Sequence, residues 1–211
     1  MKKITWYLLL SFLVTATAIG GWYYSRFQGD RPAGAAVIDA RDSVSIKRDL
    51  IADSLKRFAA ANRYNTQIGF LLDMSIESGR DRFFVVDMKK DSVLSAGLVT
   101  HGRCNQNWLR GRKYSNIIGS GCTSLGRYRV AGSYHGRFGL AYKLHGLDPT
   151  NNNAFKRYVV LHAHECVPDK EVHPLPLCQS DGCPTVSPAF LQELKVIIEA
   201  ASQPVILWIY E

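Results

Sequence analysis

The sequence lacks internal repeats, low-complexity tracts and any stretch polar enough to remain disordered. Acidic residues are the scarcer charge, 18 against 26 basic ones, which leaves a net charge of +8. This excess favours anionic surroundings such as phospholipid headgroups or wall polymers. The basic residues are not interleaved with aromatic ones as in RNA-binding sheets, which disfavours nucleic acid as a partner. With 46% hydrophobic residues, the 211-residue chain is expected to hold one folded domain and a short appendage.

The N-terminus carries one long run without charge. Two lysines precede an uncharged and mostly apolar stretch over residues 4 to 24. About 20 such residues suffice for a helix to span a bilayer, and basic residues before it stay on the cytoplasmic side. We therefore expect residues 1 to 27 to be a signal anchor that binds the membrane and places the domain outside the cytoplasm. A cleaved signal peptide is the alternative, because Ala16-Thr17-Ala18 has the small-residue pattern of a cleavage site.

The rest of the chain is expected to consist of a linker and one domain. Residues 28 to 42 are rich in Gly, Ala and Pro, which is typical of a linker, and the domain is expected over residues 43 to 211. Ser43 or Ser45 is expected to cap its first helix. Apolar periodicity predicts a mainly β domain with two flanking helices. The predicted helices cover residues 46–59 and 188–201, and the predicted strands cover residues 68–74, 83–88, 93–100, 128–133, 140–144, 158–162 and 205–210.

The chain has five cysteines, and the predicted export allows them to form disulfides, which persist outside the reducing cytoplasm. Four can pair, and the fifth is then an intermolecular link or a reactive thiol. Cys183 follows Gly182 and precedes a predicted helix start, a position that can stabilise a thiolate. Its partner should be a histidine, and His162 and His164 end a predicted strand with both side chains on the same face.

Short sequence blocks accompany this cysteine and its upstream histidine. They are His101-Gly102, Ser115-Asn116, Gly119-Ser120, Ser124-Leu125-Gly126, Gly139-Leu140, Gly146-Leu147, Asn153-Ala154, Arg157, Val160-Leu161-His162 and Ser180-Asp181-Gly182-Cys183-Pro184. Together they resemble the YkuD-type L,D-transpeptidases, most closely the murein L,D-transpeptidase catalytic domain branch. Two positions depart from that pattern, because Asp181 stands where most members have histidine and Ala163 stands where they have glycine. His162 aligns with the family histidine.

The resemblance implies an L,D-transpeptidase-like β-sandwich or barrel and a two-step acyl transfer on peptidoglycan stem peptides, without cofactor or metal. Cys183 would be the nucleophile and His162 its base. The backbone N–H groups of Gly182 and Cys183 would bind the oxyanion, and Ser180 would orient the histidine or the substrate.

Other residues are expected to contact the substrate, and other functions remain open. The expected contacts are His164, Asp181, Arg157 and Tyr134. If water replaces the acceptor amine, the same site is an L,D-carboxypeptidase. A third hypothesis is a non-catalytic module that binds the cell wall.

With Cys183 assigned to catalysis, the other four cysteines are expected to pair as Cys104 with Cys122 and Cys166 with Cys178, although their spacing alone allows three pairings. A zinc site formed by the histidines and cysteines of this region is disfavoured, because their spacing matches no common zinc finger. Three further histidines lie beside glycines and are expected at turns or on the surface. These are His101, His135 and His145.

Overall fold

A mixed β-sheet organises the part of the chain that the computed structural model describes, residues 40 to 211. The elements in chain order are α1 (Ala40–Ala61), β1 (Ile68–Asp73), β2 (Phe83–Asp87), β3 (Ser92–Gly97), β4 (Gly126–Gly136), β5 (Gly139–Gly146), β6 (Val160–Ala163), β7 (Thr185–Val186), α2 (Pro188–Ala200) and β8 (Ile206–Tyr210). The mainly β domain with two helices is thus confirmed over these residues. The two-residue strand β7 was not predicted.

The eight strands form one sheet in the order β3-β2-β1-β8-β4-β5-β6-β7. The segment after β3 returns to β7 at the other end of the strand order, where the Thr100 N–H donates to the Thr185 carbonyl at 2.9 Å. The predicted sandwich of two separate sheets is not seen over residues 40 to 211. The physical reason lies in β8, which pairs in parallel with β1 and antiparallel with β4. It thereby joins the strands on either side of it into one hydrogen-bonded sheet.

Buried side chains cover both faces of the central strands. Phe70 and Leu72 of β1 belong to the larger core on one face, and Leu71 between them belongs to a second core on the other face. Successive strand residues point to opposite faces, so a strand buried on both sides has a continuous apolar sequence. This explains why β1 and β8 are apolar runs rather than alternating ones.

The two helices cover opposite faces of the sheet. Leu194 of α2 is fully buried in the larger core, and Leu55 of α1 is fully buried in the second one. The predicted caps of α1 are wrong, because Ser43 and Ser45 lie inside this helix. The Ser45 hydroxyl donates to the carbonyl of Asp42 at 2.9 Å, a bond that a serine inside a helix can make with the preceding turn.

The start of α2 fixes the chain that follows the predicted nucleophile. The Ser187 hydroxyl accepts the backbone N–H of Phe190 at 3.2 Å, which caps the helix, and Pro188 occupies the first turn. The predicted second helix is therefore confirmed, and it ends at Ala200.

The predicted signal anchor or signal peptide, residues 1 to 27, lies outside the described residues. Within residues 40 to 211, no helix is both long enough and apolar enough to cross a membrane. The anchor therefore stays a prediction.

Candidate active site

Strand pairing brings the predicted nucleophile and base to one cleft. β6 and β7 are parallel neighbours with His162 opposite Thr185, and Cys183 lies two residues before Thr185. The cleft has a volume of about 540 Å³. It is lined by Thr100, Arg103, Asn107, Trp108, Phe138, His162, His164, Cys166, Cys178, Gln179, Ser180, Asp181, Cys183 and Thr185.

The Cys183 thiol is half-buried at the start of β6. Its Sγ accepts the backbone N–H of Val160 at 3.4 Å and donates to the carbonyl of Tyr158 at 3.7 Å. Burial raises the pKa of this thiol, and Asp181 acts in the same direction. The Val160 N–H and the Arg157 charge oppose this rise. The pKa of the thiol is therefore raised overall, although the Val160 N–H and Arg157 both stabilise its thiolate form.

His162 is buried, with 5% of its surface exposed. Its Nδ1 lies 3.0 Å from the carbonyl oxygen of Ala163, and its Nε2 lies 3.0 Å from the Thr185 hydroxyl. A carbonyl oxygen only accepts, so Nδ1 carries a proton, and in the neutral ring Nε2 then accepts from the Thr185 hydroxyl. Burial lowers the pKa of His162, and His164 lowers it further, against the opposing effect of the Ala163 bond. The imidazole is therefore held neutral, with Nε2 as its basic atom.

Phe138 covers this imidazole from the tip of the β4–β5 hairpin. The two rings stack with centroids 4.6 Å apart and planes inclined by 20°. In the described part of the chain, no hydrogen bond joins Cys183 to His162, because each uses other partners. The thiol and the imidazole therefore share a cleft without being paired.

Ser180 and Gly182 shape the nucleophile loop, residues 180 to 184. The Ser180 hydroxyl donates to the Cys183 carbonyl at 2.7 Å and accepts the Gly182 N–H at 3.2 Å. Ser180 thus closes the turn, and within residues 40 to 211 no hydrogen bond joins its hydroxyl to His162 or His164. Gly182 has φ +105°, and a Cβ there would lie 2.5 Å from the Cys122 carbonyl oxygen, so this position requires glycine.

The loop also determines which backbone donors are available to an oxyanion. The Gly182 N–H is already bonded to Ser180. Among the hydrogen bonds of residues 40 to 211, none uses the backbone N–H of Cys183. Of the two predicted donors, only the Cys183 N–H is free to bind a ligand.

Two of the four expected substrate contacts line the cleft. His164 is exposed, and its Nδ1 accepts the backbone N–H of Cys166 at 3.1 Å. Asp181 is also exposed and forms an ion pair of 2.7 Å with Arg103. The roles of both residues as substrate contacts stay predictions.

The other two expected contacts, Arg157 and Tyr134, do not line the cleft. Tyr134 pairs with Ala141, which pairs with His162 on the next strand. Tyr134 thus lies two strand spacings, about 10 Å, from the histidine along the sheet. Arg157 lies behind the nucleophile loop, where its guanidinium donates to the segment of residues 120 to 124.

Several cleft residues were not singled out in the sequence. Thr185 could have been suspected as the second residue after the cysteine, but a two-residue strand gives no periodic pattern. Phe138 occupies a two-residue turn between Gly136 and Gly139, and no local pattern indicates that its ring returns over His162. Trp108 lies in an irregular segment that has no sequence signal.

The cysteines separate into two disulfides and one thiol. Cys104 is bonded to Cys122 and Cys166 to Cys178, as expected, and Cys183 is free. The second disulfide removes two thiolates from the alternative zinc cluster. Residues 40 to 211 hold no group of three or more His, Cys, Asp or Glu residues that could bind a metal ion.

His101 has a more specific environment than the predicted turn or surface position. It is half-buried, and its Nδ1 lies 3.3 Å from a guanidinium nitrogen of Arg82. Arg82 is 1% exposed and also donates twice to the carbonyl of Val99. Burial, followed by the charges of Arg82 and Arg112, lowers the pKa of His101 to about 4. His101 is therefore neutral in the folded protein at ordinary pH.

Several L,D-transpeptidases are among the solved structures to which the chain is similar. The helical cell shape determining protein Pgp2 from Campylobacter jejuni has 13% identity and a TM-score of 0.43, over 68% of this chain and 47% of its own. The L,D-transpeptidase from Xylanimonas cellulosilytica DSM 15894 has 16% identity and a TM-score of 0.40, over 73% and 68%. The L,D-transpeptidase from Mycobacterium smegmatis has 11% identity and a TM-score of 0.41, over 69% and 59%. The chain thus spans about half the length of Pgp2.

Comparison with curated proteins gives no match. By contrast, residues 42–210 match the family model described as the L,D-transpeptidase catalytic domain. The match includes every strand, the cleft and the nucleophile loop. It confirms the resemblance recognised in the sequence, and the chain belongs to the L,D-transpeptidase catalytic domain family.

Proposed function

We propose that the chain is a cysteine acyltransferase that links peptidoglycan stem peptides through a thioester on Cys183, with His162 as the base. One observation carries the proposal. A cleft contains both a cysteine outside the disulfides and a buried imidazole whose Nδ1 faces the Ala163 carbonyl, which leaves Nε2 as the basic atom of the neutral ring. Family membership supports the substrate class. The catalytic domain in this proposal comprises residues 43 to 211.

The reaction divides into acylation and its resolution. In the first step, the Cys183 sulfur attacks the carbonyl carbon of the third, diamino acid residue of a donor stem and forms a C–S bond. Nε2 of His162 accepts the thiol proton and passes it to the departing amine of D-alanine. In the second step, an amine of a neighbouring stem attacks the thioester, loses a proton to His162 and restores the thiol.

Proton transfer requires the two catalytic groups to exchange partners. In the described conformation, Cys183 donates to the Tyr158 carbonyl, and His162 accepts from Thr185. We propose that a bound donor stem displaces these contacts, so that the thiol turns toward Nε2. The Cys183 N–H then serves as the first oxyanion donor, and the Gly182 N–H becomes a second donor when Ser180 releases it.

The cleft suggests which groups hold the substrate. His164 and Asp181 line it beside the thiol and offer an imidazole and a carboxylate to the polar atoms of a stem peptide. We propose both as substrate contacts. Tyr134 can contribute only to a longer ligand that extends along the sheet from His162.

Product analysis separates the three candidate functions. Purified disaccharide tetrapeptide is incubated with the wild type and with Cys183→Ala, and the products are identified by mass spectrometry. Cross-linked dimers from the wild type alone support transpeptidation, and tripeptides alone indicate an L,D-carboxypeptidase. Equal product patterns from both proteins, with intact disulfides and unchanged melting temperatures, would leave only the non-catalytic wall-binding module.

We further propose that the domain acts outside the cytoplasm and is held at the membrane by residues 1 to 27. The lysine-flanked uncharged run and the two disulfides support this location. Extraction of membranes with alkaline carbonate should leave an anchored chain in the pellet and release a cleaved one. Recovery of the full-length chain from the cytosol would contradict both forms.

A further inference from the structure

The Arg157 guanidinium lies fixed directly behind the nucleophile loop. It donates to the Ser124 hydroxyl at 2.9 Å, to the Ser120 hydroxyl at 3.4 Å and to the Cys122 carbonyl. This segment is itself anchored, because Cys122 is in a disulfide and the Tyr128 hydroxyl donates to the Ser124 carbonyl at 2.6 Å. The guanidinium therefore has a defined position on a rigid support.

Arg157 also has no carboxylate partner among the ion pairs of the described residues. It is half-buried, and its protein partners are two hydroxyls and one carbonyl, which carry no net charge. A partly desolvated cation without a counter-ion is costly, and an anion nearby would offset that cost.

The nucleophile loop beside the guanidinium carries a group that can become that anion, the Cys183 thiol. A Cβ built on Gly182 would lie 3.2 Å from a guanidinium nitrogen of Arg157, so the arginine packs against the peptide unit that precedes Cys183. The residue after Arg157 is Tyr158, whose carbonyl accepts a hydrogen bond from the thiol. Arg157 thus packs against the nucleophile loop, and the residue that follows it hydrogen-bonds to the thiol.

The charged side chains that line the cleft supply no unpaired positive charge. Asp181 in the same loop is a carboxylate, and Arg103 is engaged in an ion pair with it. Burial lowers the pKa of His162 and so favours its neutral form. Tyr128 on β4 is fully buried, and burial raises its pKa to about 12, so it is also neutral.

We propose that Arg157 is a positioning residue whose fixed positive charge stabilises the Cys183 thiolate, and that it is not a substrate contact. The proposal rests on the proposed role of Cys183 as nucleophile. Arg157 transfers no proton, because the thiol proton goes to Nε2 of His162. Its effect is electrostatic. Most members of the family have a histidine at the position of Asp181, and a carboxylate there cannot supply a positive charge, so Arg157 supplies it.

The test measures how readily Cys183 is alkylated by iodoacetamide as a function of pH, followed by intact mass on the disulfide-bonded protein. In Arg157→Gln, the midpoint of the alkylation profile should rise by about one pH unit, which leaves about tenfold less thiolate near neutral pH. Arg157→Lys keeps the charge, and its midpoint should stay within about half a unit of the wild type. Lys156→Gln removes the neighbouring exposed charge and should leave the midpoint unchanged.

An unchanged midpoint in a folded Arg157→Gln would overturn the proposal, as would equal shifts in Arg157→Gln and Lys156→Gln. If Arg157→Gln does not fold, Ser124→Ala provides the second test. It removes the 2.9 Å bond that fixes the guanidinium, and it should raise the midpoint by a smaller amount. No rise in that variant would also overturn the proposal. Alkylation needs no peptidoglycan, so this test of Arg157 is independent of the product analysis that tests the proposed enzyme activity.

Discussion

Replacement of His162 by glutamine should slow the acylation of Cys183 by roughly 10²- to 10⁴-fold, the usual cost of losing a general base. The structure supports this direction because His162 is 5% exposed and Nε2 is the basic atom of its neutral ring. Glutamine can still accept a hydrogen bond from Thr185, which limits the structural damage. The loss should be largest near neutral pH and should shrink at alkaline pH, where the thiol ionises without a base.

His164→Gln is the matched control, because this histidine lies two residues away in the same cleft. It is exposed, and its loss removes one hydrogen bond from the Cys166 N–H, worth about 0.5 to 1.5 kcal/mol of stability. His164 also lowers the pKa of His162, so its removal makes the catalytic base slightly stronger. The acylation rate should therefore stay within about threefold of the wild type.

The assay is the rate of acylation by a carbapenem, read by intact mass from about pH 6 to about pH 9. Melting temperatures of both variants show whether each remains folded. If His164→Gln acylates more slowly than His162→Gln, the reasoning from burial and tautomer is refuted and the two roles exchange.

Three further substitutions test the surroundings of the site. Gly182→Ala should destabilise the fold by about 2 to 3 kcal/mol in urea unfolding, because φ is +105° and a Cβ would meet a carbonyl oxygen at 2.5 Å; a neutral result would contradict the loop geometry. Thr185→Val should cost about 1 to 2 kcal/mol in the same assay by leaving buried His162 Nε2 without a donor, and wild-type stability would rule that bond out. His101 has a folded pKa of about 4 against 6.5 ordinarily, so the unfolded state binds more protons between these values and stability falls as pH falls through them. His101→Gln should remove part of this acid-induced drop in melting temperature, whereas the exposed control His135→Gln should not. Equal dependence of melting temperature on pH in the two variants would contradict the lowered pKa of His101.

The sequence predicted the elements whose pattern is local. Strands such as β1 and β8 were visible because both faces are buried, which gives uninterrupted apolar runs. The helix α2 was visible because Pro188 opens it and its apolar residues recur on one face. The start of α1 was misplaced because a serine hydroxyl can either cap a helix by accepting a backbone N–H or, inside the helix, donate to a carbonyl of the preceding turn. The sequence does not distinguish these two cases.

Nonlocal contacts could not be predicted in the same way. Cys183 and His162 were found through the motif, but the partners they use depend on the pairing of β6 with β7. Thr185 and Phe138 reach His162 only because of that pairing and of the β4–β5 hairpin. Ser180 was expected to orient the histidine or the substrate. Its hydroxyl closes the nucleophile loop, a detail that the motif did not indicate, and its role toward the substrate stays a prediction.

The position of β8 imposes an order on folding. β8 joins β1 to β4, yet it is the last strand of the sheet to emerge during synthesis, which proceeds from the N-terminus. Until it arrives, β1 and β4 each present an unpaired edge, and such edges invite pairing with other chains. The long sequence separation between β1 and β8 also slows closure, because the loop entropy must be lost before the contacts form. The newly made chain therefore passes through a stage in which it needs protection from aggregation, and that stage ends when residues 206 to 210 dock.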